Sequence, residues 1–134
     1  AHEYVNELAQ ELGHPNEPER ALTLWRAVMH IIRDRIHPGE SIQLLAPLPM
    51  IFKGIYVEDW KYSEKPEWKF STIQEMKQQV KTLQERYGET DFSWSEPTEE
   101  LISRVLHSLK KYIKEDQLQH LKGQLPKELQ QLVA

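Results

Sequence analysis

Residues 24–60, LWRAVMHIIRDRIHPGESIQLLAPLPMIFKGIYVEDW, decide the fold, because most of this stretch occurs a second time in the chain. A shift of 77 positions aligns residues 21–57 with residues 98–134 without a gap. The shift brings together the identical pairs Leu24 and Leu101, Val28 and Val105, His30 and His107, Ile36 and Ile113, Leu44 and Leu121, Leu48 and Leu125, and Pro49 and Pro126. Two amphipathic helices can share apolar spacing by chance, but a common histidine and a common Leu-Pro dipeptide at one offset indicate an internal duplication.

The duplication predicts an all-α fold made of two four-helix repeats, with about eight helices in total. The first repeat covers residues 3–57, the second covers residues 71–134, and an ordered linker at residues 58–70 joins them. A single unit of this size buries too little apolar surface to be stable alone. We therefore predict one all-helical domain, residues 1–134, in which the two repeats pack pseudo-symmetrically on a shared core.

Capping residues and apolar spacing place the helices within each repeat. The predicted helices of the first repeat cover residues 4–12, 16–36, 40–45 and 49–57. Asn16 is the predicted N-cap of the long second helix, whose wide apolar stripe is typical of a central helix. In the second repeat, Ser71 and Gln74 have the spacing of a capping box. Gly13 and Gly88 are predicted to end the first helix of each repeat.

The composition argues against several classes of protein. The formal net charge is −4 and no half of the chain is strongly basic, which argues against a nucleic-acid partner because phosphate binding depends on clustered Lys and Arg. No apolar run approaches the roughly 18 residues of a membrane span, so no membrane partner is expected. The chain has no cysteine, which excludes disulfides and thiolate metal sites and is compatible with a cytoplasmic location.

A nucleic-acid alternative depends on five lysines of the second repeat. These are Lys110, Lys111, Lys114, Lys122 and Lys127. A phosphate-binding surface requires them to share one face of the molecule, and their spacing along helices spreads them around it instead. The alternative is therefore not preferred.

His30 and His107 are the equivalent histidines of the two repeats and, with Trp25, the candidate residues of a pocket between them. Each histidine follows an inward valine by two residues, about 200° around the helix, so neither is central in its apolar stripe. A histidine at such a boundary more often caps a neighbouring helix or loop than binds a ligand. Catalysis or metal binding needs partner groups, and none recurs at the same spacing, since Asp34 aligns with Lys111.

Glu11 and His14 have the Glu-x-x-His spacing of di-iron carboxylate bundles. That chemistry requires two such motifs on core-facing helices together with two further carboxylates. The chain has one copy, at a helix end interrupted by Gly13 and Pro15. We therefore predict no metal, no cofactor and no catalytic residue.

The apolar segment 44–57 is the clearest difference between the repeats, because its counterpart in the second repeat is half polar. One interpretation makes this segment a surface that binds another chain, with the candidate residues Met50, Ile51, Phe52, Ile55 and Tyr56. The preferred interpretation makes it the central element where the two repeats meet, since a large exposed apolar surface would promote aggregation.

The runs AVMHIIRDRIHPGE (residues 27–40) and LLAPLPMIFKGIYVEDW (residues 44–60) resemble the signature of a widespread bacterial family, the domain of unknown function 2267. The resemblance covers nearly the whole chain and joins the helix, the Leu-Pro-Met run at 48–50, the Gly-Ile-Tyr run at 54–56 and Trp60 at the spacings of the family. The chain departs from the signature at Asp59, where glycine is common, and in its longer loop before Trp94. The resemblance implies an all-helical duplicated domain and no particular activity.

These observations favour a non-enzymatic helical interaction or scaffold module, whose partner is another protein or a second copy of the chain. The alternative is a small-ligand-binding protein or an enzyme with its pocket between the repeats, near His30 and His107. A deep pocket reached by both histidines would favour that alternative. Two histidines packed against helix ends, without a cavity, would argue against it.

Overall fold

The computed structural model describes residues 2–61 and 69–133, apart from the side chain of His2. Within these ranges all regular structure is helical and no strand occurs, which confirms the predicted all-α class. The helices are α1 His2–Glu11, α2 Pro18–Arg35, α3 Pro38–Leu45, α4 Met50–Tyr56, α5 Ile73–Arg86, α6 Thr98–Ser108 and α7 Glu115–Gly123. A 3-10 turn, Leu109–Lys111, continues α6, and a 3-10 helix, Lys127–Leu132, follows α7. Most of the predicted linker, at positions 62–68, lies outside the described residues.

The N-terminal caps of α2 and α5 differ from the predicted ones. The N-cap of α2 is Glu17 rather than Asn16, and its side chain makes no capping hydrogen bond. The capping box of α5 joins Thr72 and Glu75, one position beyond the predicted Ser71 and Gln74. Both four-residue windows satisfy the sequence pattern, but the carboxylate of Glu75 accepts from the backbone N–H groups of both Ser71 and Thr72, at 3.3 and 3.2 Å. An ionised acceptor makes the stronger hydrogen bonds, which favours the second window.

The C-terminal ends of α1 and α5 follow the prediction. Gly13 and Gly88 have φ values of +82° and +100°, in the left-handed region where a side chain is strained. The N–H of His14 bonds the carbonyl of Ala9 at 2.9 Å, and the N–H of Glu89 bonds that of Gln84 at 2.9 Å. These bonds satisfy carbonyl groups that the helix ends would otherwise leave free.

One hydrophobic core contains residues of all seven α-helices. Helix α2 is its centre, as the wide apolar stripe predicted, and packs against α1, α3, α4, α5 and α6. The Trp25 ring of α2 is fully buried and stacks on the Phe52 ring of α4, with 4.6 Å between the ring centroids. Among the described helices, none combines the length and the apolar character that a membrane crossing needs.

The order of the helices is the same in the two predicted repeats, except that a 3-10 helix replaces the fourth α-helix in the second. Helix α1 packs on α2 and α6, its counterpart α5 packs on α6 and α2, and α3 packs on α7. A two-fold relation between the repeats would produce these exchanged contacts. The pseudo-symmetric packing and the repeat boundaries remain predictions.

The turn after α4 contains a non-glycine residue with positive φ, Asp59 at +53°. This is the position where the resemblance leads us to expect glycine. Glycine adopts this conformation without strain, whereas a Cβ there costs roughly 1–2 kcal/mol, less for Asp than for most residues. We expect Asp59→Gly to be at least as stable as the native chain, and Asp59→Ala to be less stable than Asp59→Gly by about 1 kcal/mol. Urea unfolding of the three proteins measures this order, and an Ala variant as stable as the Gly variant would contradict it.

Candidate functional site

The polar side chains of α2 converge on the C-terminal end of α4. The Arg33 guanidinium is buried and donates from Nη1 to the backbone carbonyls of Tyr56 and Glu58, both at 2.7 Å. Its Nε and Nη2 donate to the two carboxylate oxygens of Asp34, at 2.8 and 3.0 Å. Arg33 therefore satisfies helix-end carbonyls that have no partner within α4, and its charge is neutralised by the adjacent carboxylate.

His30 binds the same helix end. Its side chain is buried, and its Nε2 lies 2.6 Å from the carbonyl oxygen of Ile55. Because a carbonyl only accepts, Nε2 carries the proton and donates, and Nδ1 accepts from the hydroxyl of Tyr87 at 2.8 Å. Burial lowers the pKa of His30, and the nearby Arg33 and Arg26 guanidinium groups lower it further. Nε2 therefore links α2 to α4, and Nδ1 links α2 to Tyr87 at the C-terminal end of α5. Binding the end of a neighbouring helix is the role that the sequence analysis preferred for this histidine.

The lowered pKa of His30 predicts a pH-dependent stability. The unfolded chain, with an ordinary histidine pKa near 6.5, binds this proton more readily than the folded chain does, so stability is full above pH 6.5 and falls as the pH drops below it. The amide of a glutamine can also donate to Ile55 and accept from Tyr87, but it does not titrate. We therefore expect His30→Gln to lack the His30 contribution to the change of unfolding free energy with pH, which is at most about 1.4 kcal/mol per pH unit. Urea unfolding of both proteins at pH 7.5, 6.5 and 5.5 tests it. Equal pH dependence would contradict it.

Tyr56 completes this polar junction in the interior. Its hydroxyl hydrogen-bonds the hydroxyl of Ser41 on α3. Ser41 Oγ in turn donates to the backbone carbonyl of Arg33 at 3.3 Å. Burial raises the pKa of Tyr56 above its ordinary value, so the phenol stays protonated. The junction joins α2, α3 and α4 through groups that hydrogen-bond one another. Arg33 and Tyr56 lie within the runs that carry the family resemblance, and Ser41 lies between the two runs.

The predicted interaction residues fall into three environments, namely buried, half-buried and exposed. Phe52 and Tyr56 are buried in the core, so they leave the candidate surface. Ile51 and Ile55 are half-buried and pack against the core, whereas Met50 is 81% exposed. The reason is the spacing along α4, since residues 52 and 56 lie four apart on the face that α2 covers. Ile42 on α3, which the sequence did not single out, is 54% exposed.

The candidate pocket residues do not share one environment. Trp25 and His30 are buried, the first in the apolar core and the second in the polar junction. His107, at the equivalent position of α6, is exposed. The two histidines differ in their contacts: Ile55 provides its carbonyl to His30, whereas the carbonyl of Leu132, at the equivalent position, accepts from the hydroxyl of Ser103 at 2.9 Å.

A cleft between the predicted repeats lies elsewhere, between α3 and α7. It holds about 200 Å³ and is lined by Ile36, Glu40, Gln43, Leu44, Asp116, Gln117, His120 and Leu121. Three pairs of these residues are separated by the same 77 positions that relate the repeats, namely Glu40 and Gln117, Gln43 and His120, and Leu44 and Leu121. The 77-residue shift is the sequence signal for this cleft, because it pairs residues of α3 with residues of α7.

The long loop after α5 is held by a buried carboxylate that the sequence did not indicate. Glu89 Oε1 accepts from Arg20 Nε at 2.9 Å and from Trp94 Nε1 at 3.1 Å. The Arg20 guanidinium also lies over the Trp94 ring, 4.3 Å from its centroid, and donates to the carbonyl of Asp91 at 2.6 Å. This network holds the loop on α2, and the charges of Arg20 and Glu89 pair with each other within it.

Other charged candidates are engaged in separate contacts. Glu11 binds Lys111 at 2.8 Å, and His14 donates to Glu17 at 3.0 Å and accepts from the backbone N–H of Ser95 at 3.1 Å. Glu11 and His14 therefore do not act as a pair. In the described part of the chain, no three metal-ligating side chains lie close enough together to hold an ion.

Comparisons with known proteins agree with the resemblance seen in the sequence. A search of curated proteins found no match. A family model described as an uncharacterized conserved protein, DUF2267, matches residues 1–132. Since this match covers nearly the whole chain, the protein belongs to the DUF2267 family, a domain family of unknown function.

Proposed function

We propose that this chain is a non-enzymatic interaction module that binds a protein partner, or a second copy of itself, through the corner between α3 and α4. We call this the α3–α4 corner and define it by the exposed residues Ile42, Ala46, Pro47 and Met50. The single observation that carries the proposal is the exposure of Met50 and Ile42, at 81% and 54%, while the neighbouring apolar side chains Leu44, Leu48 and Phe52 are buried in the core.

The physical argument concerns the free energy of hydration of this corner. Ile42 and Ala46 lie one helical turn apart, since the N–H of Ala46 bonds the carbonyl of Ile42 at 3.1 Å. Exposed Ile and Met side chains gain roughly 1.5–3 kcal/mol each when they are fully buried. Methionine also adapts its shape to different surfaces, which is a property of binding sites that accept a partner. The four residues that define the corner are uncharged, so their burial against a partner desolvates no charged side chain among them.

Sedimentation and affinity capture test this proposal together. The double variant Ile42→Lys with Met50→Lys should fold normally, because both side chains are exposed, and should lose any self-association seen for the native chain at micromolar concentration. A tagged native chain should capture a protein that the double variant does not capture. The matched control is Phe92→Lys, a charge placed on an exposed apolar residue outside the corner. A native chain that is strictly monomeric and captures the same proteins as the double variant would overturn the proposal.

A second candidate function, small-ligand binding, is favoured by the α3–α7 cleft. This cleft lies between the predicted repeats, as the alternative required, but away from Trp25, His30 and His107. Three buried aliphatic side chains of the lining, Ile36, Leu44 and Leu121, can pack on the apolar part of a ligand, and the five polar residues of the lining can fix its orientation. A cytoplasmic setting, and the absence of nucleic-acid partners, remain part of the proposal. They rest on the net charge of −4 and the lack of cysteine.

A further inference from the structure

The α3–α7 cleft has an apolar floor and an acidic rim. Ile36, Leu44 and Leu121 are buried side chains that form the floor. The carboxylates of Glu40 and Asp116 lie at the rim, one from each helix. The volume of about 200 Å³ accommodates about six or seven non-hydrogen atoms, taking about 30 Å³ for each water-sized group.

The rim carries one contact that a ligand can replace. His120 Nε2 lies 3.0 Å from Glu40 Oε1, and the His120 side chain is 62% exposed while that of Glu40 is 22% exposed. The imidazole can therefore turn into solvent while the carboxylate stays in the cleft. Asp116 Oδ1 accepts from the backbone N–H of Gln117 at 3.0 Å, and its second oxygen has further lone pairs.

The charges around the cleft favour a cation over an anion. The ionisable groups on α3 and α7 are Glu40, Glu115, Asp116, His120 and Lys122, with Lys114 preceding α7. The two carboxylates that line the cleft would repel a phosphate or carboxylate ligand. A bare metal ion is also disfavoured, because Glu40, Asp116 and His120 do not lie close enough together to ligate one ion.

We infer that the α3–α7 cleft binds a primary ammonium group on a short aliphatic stem. The stem packs on Leu44, Leu121 and Ile36, and the ammonium pairs with the Glu40 carboxylate in the place of the His120 ring, with the Asp116 carboxylate on the facing helix adding its negative charge. Such a group has three N–H donors for the carboxylate oxygens and methylene groups for the floor. It occurs both in free alkylamines and diamines and in the lysine side chain of a peptide. This inference rests on the second candidate function, ligand binding.

Amide chemical shifts of the full chain test the inference, with pentylamine as the probe and 1-pentanol as its neutral counterpart. Saturable shifts at the amides of Leu44 and Leu121 are expected with pentylamine. The double variant Glu40→Gln with Asp116→Asn should weaken that binding by at least about tenfold, since it removes charge-assisted hydrogen bonds. The matched control is Glu85→Gln with Glu128→Gln, which removes the same charge from exposed positions outside the cleft and should bind like the native chain.

Two further probes distinguish the sources of the ammonium group. Tighter binding of 1,5-diaminopentane than of N-acetyl-lysine methylamide assigns the site to free amines, and the reverse order assigns it to a lysine of a partner; both results support the inference. Binding of 1-pentanol as tight as that of pentylamine overturns it while leaving a ligand-binding cleft. If none of the probes produces saturable shifts at any amide, both the inference and the second candidate function are overturned.

Discussion

Arg33→Met should lower the free energy of unfolding by about 3–5 kcal/mol, the cost of removing one partner from a buried charge pair. Arg33 is buried and makes four hydrogen bonds, two to the helix-end carbonyls of Tyr56 and Glu58 and two to the Asp34 carboxylate. The variant leaves both carbonyls without this donor and leaves Asp34 without its cation. Methionine keeps much of the volume, so the loss reports hydrogen bonds and charge rather than a cavity.

Urea unfolding followed by far-ultraviolet circular dichroism measures this effect. Arg86→Met is the matched control, because Arg86 is exposed at the end of α5 and its replacement should change stability by less than about 0.5 kcal/mol. The double variant Arg33→Met with Asp34→Asn also removes the unpaired carboxylate, so it should recover part of the lost free energy of unfolding. If Arg33→Met and Arg86→Met unfold at the same urea concentration, the junction does not contribute the stability that its geometry implies.

Phe52→Ala should cost about 3–5 kcal/mol, the usual range for removing a buried aromatic ring. Phe52 stacks on Trp25 at 4.6 Å and lies 5.8 Å from the ring of Tyr112, so it joins α2 in the first predicted repeat to a residue of the second. The variant would open a cavity between the Trp25 and Tyr112 rings, and the cost depends on how far the neighbouring side chains relax into it. Thermal and urea unfolding should both show the loss.

Met50→Ala is the control on the same helix. Because Met50 is 81% exposed, its replacement should leave the unfolding free energy within about 0.5 kcal/mol of the native value. The pair of variants separates core from surface within one helix of seven residues. A Phe52→Ala protein as stable as Met50→Ala would place Phe52 outside the core and return it to the candidate interaction surface.

The sequence does not indicate which charged side chains are buried. Arg33 and Glu89 are ordinary charged residues in the sequence, and charged residues are mostly exposed. Arg33 is buried because α4 ends against it and Glu89 because the long loop folds back onto α2, and both contacts join residues far apart in the chain. Helical periodicity describes one element at a time, so it cannot report such pairings.

The apolar segment 44–57 is a second case in which the sequence pattern does not determine which side chains are buried. Its sequence is apolar on nearly all faces, and period alone cannot say which face meets the core. The structure assigns Phe52 and Tyr56 to the core and leaves Met50 in solvent. The shifted capping box at Thr72 has a more local cause, because two overlapping windows satisfied one pattern and the stronger acceptor decided between them.

The sequence by itself determined the all-helical class, the approximate extent of the helices and the glycines at two of their ends, because local hydrogen bonding and apolar spacing operate within a few residues. It also determined the family, through runs of residues that the structure gathers at the α2–α4 junction. Only the tertiary structure decided which apolar side chains are buried, which charges are paired and where a cleft opens. These depend on contacts between segments distant in the chain, and the free energy of each contact exists only once both segments are in place.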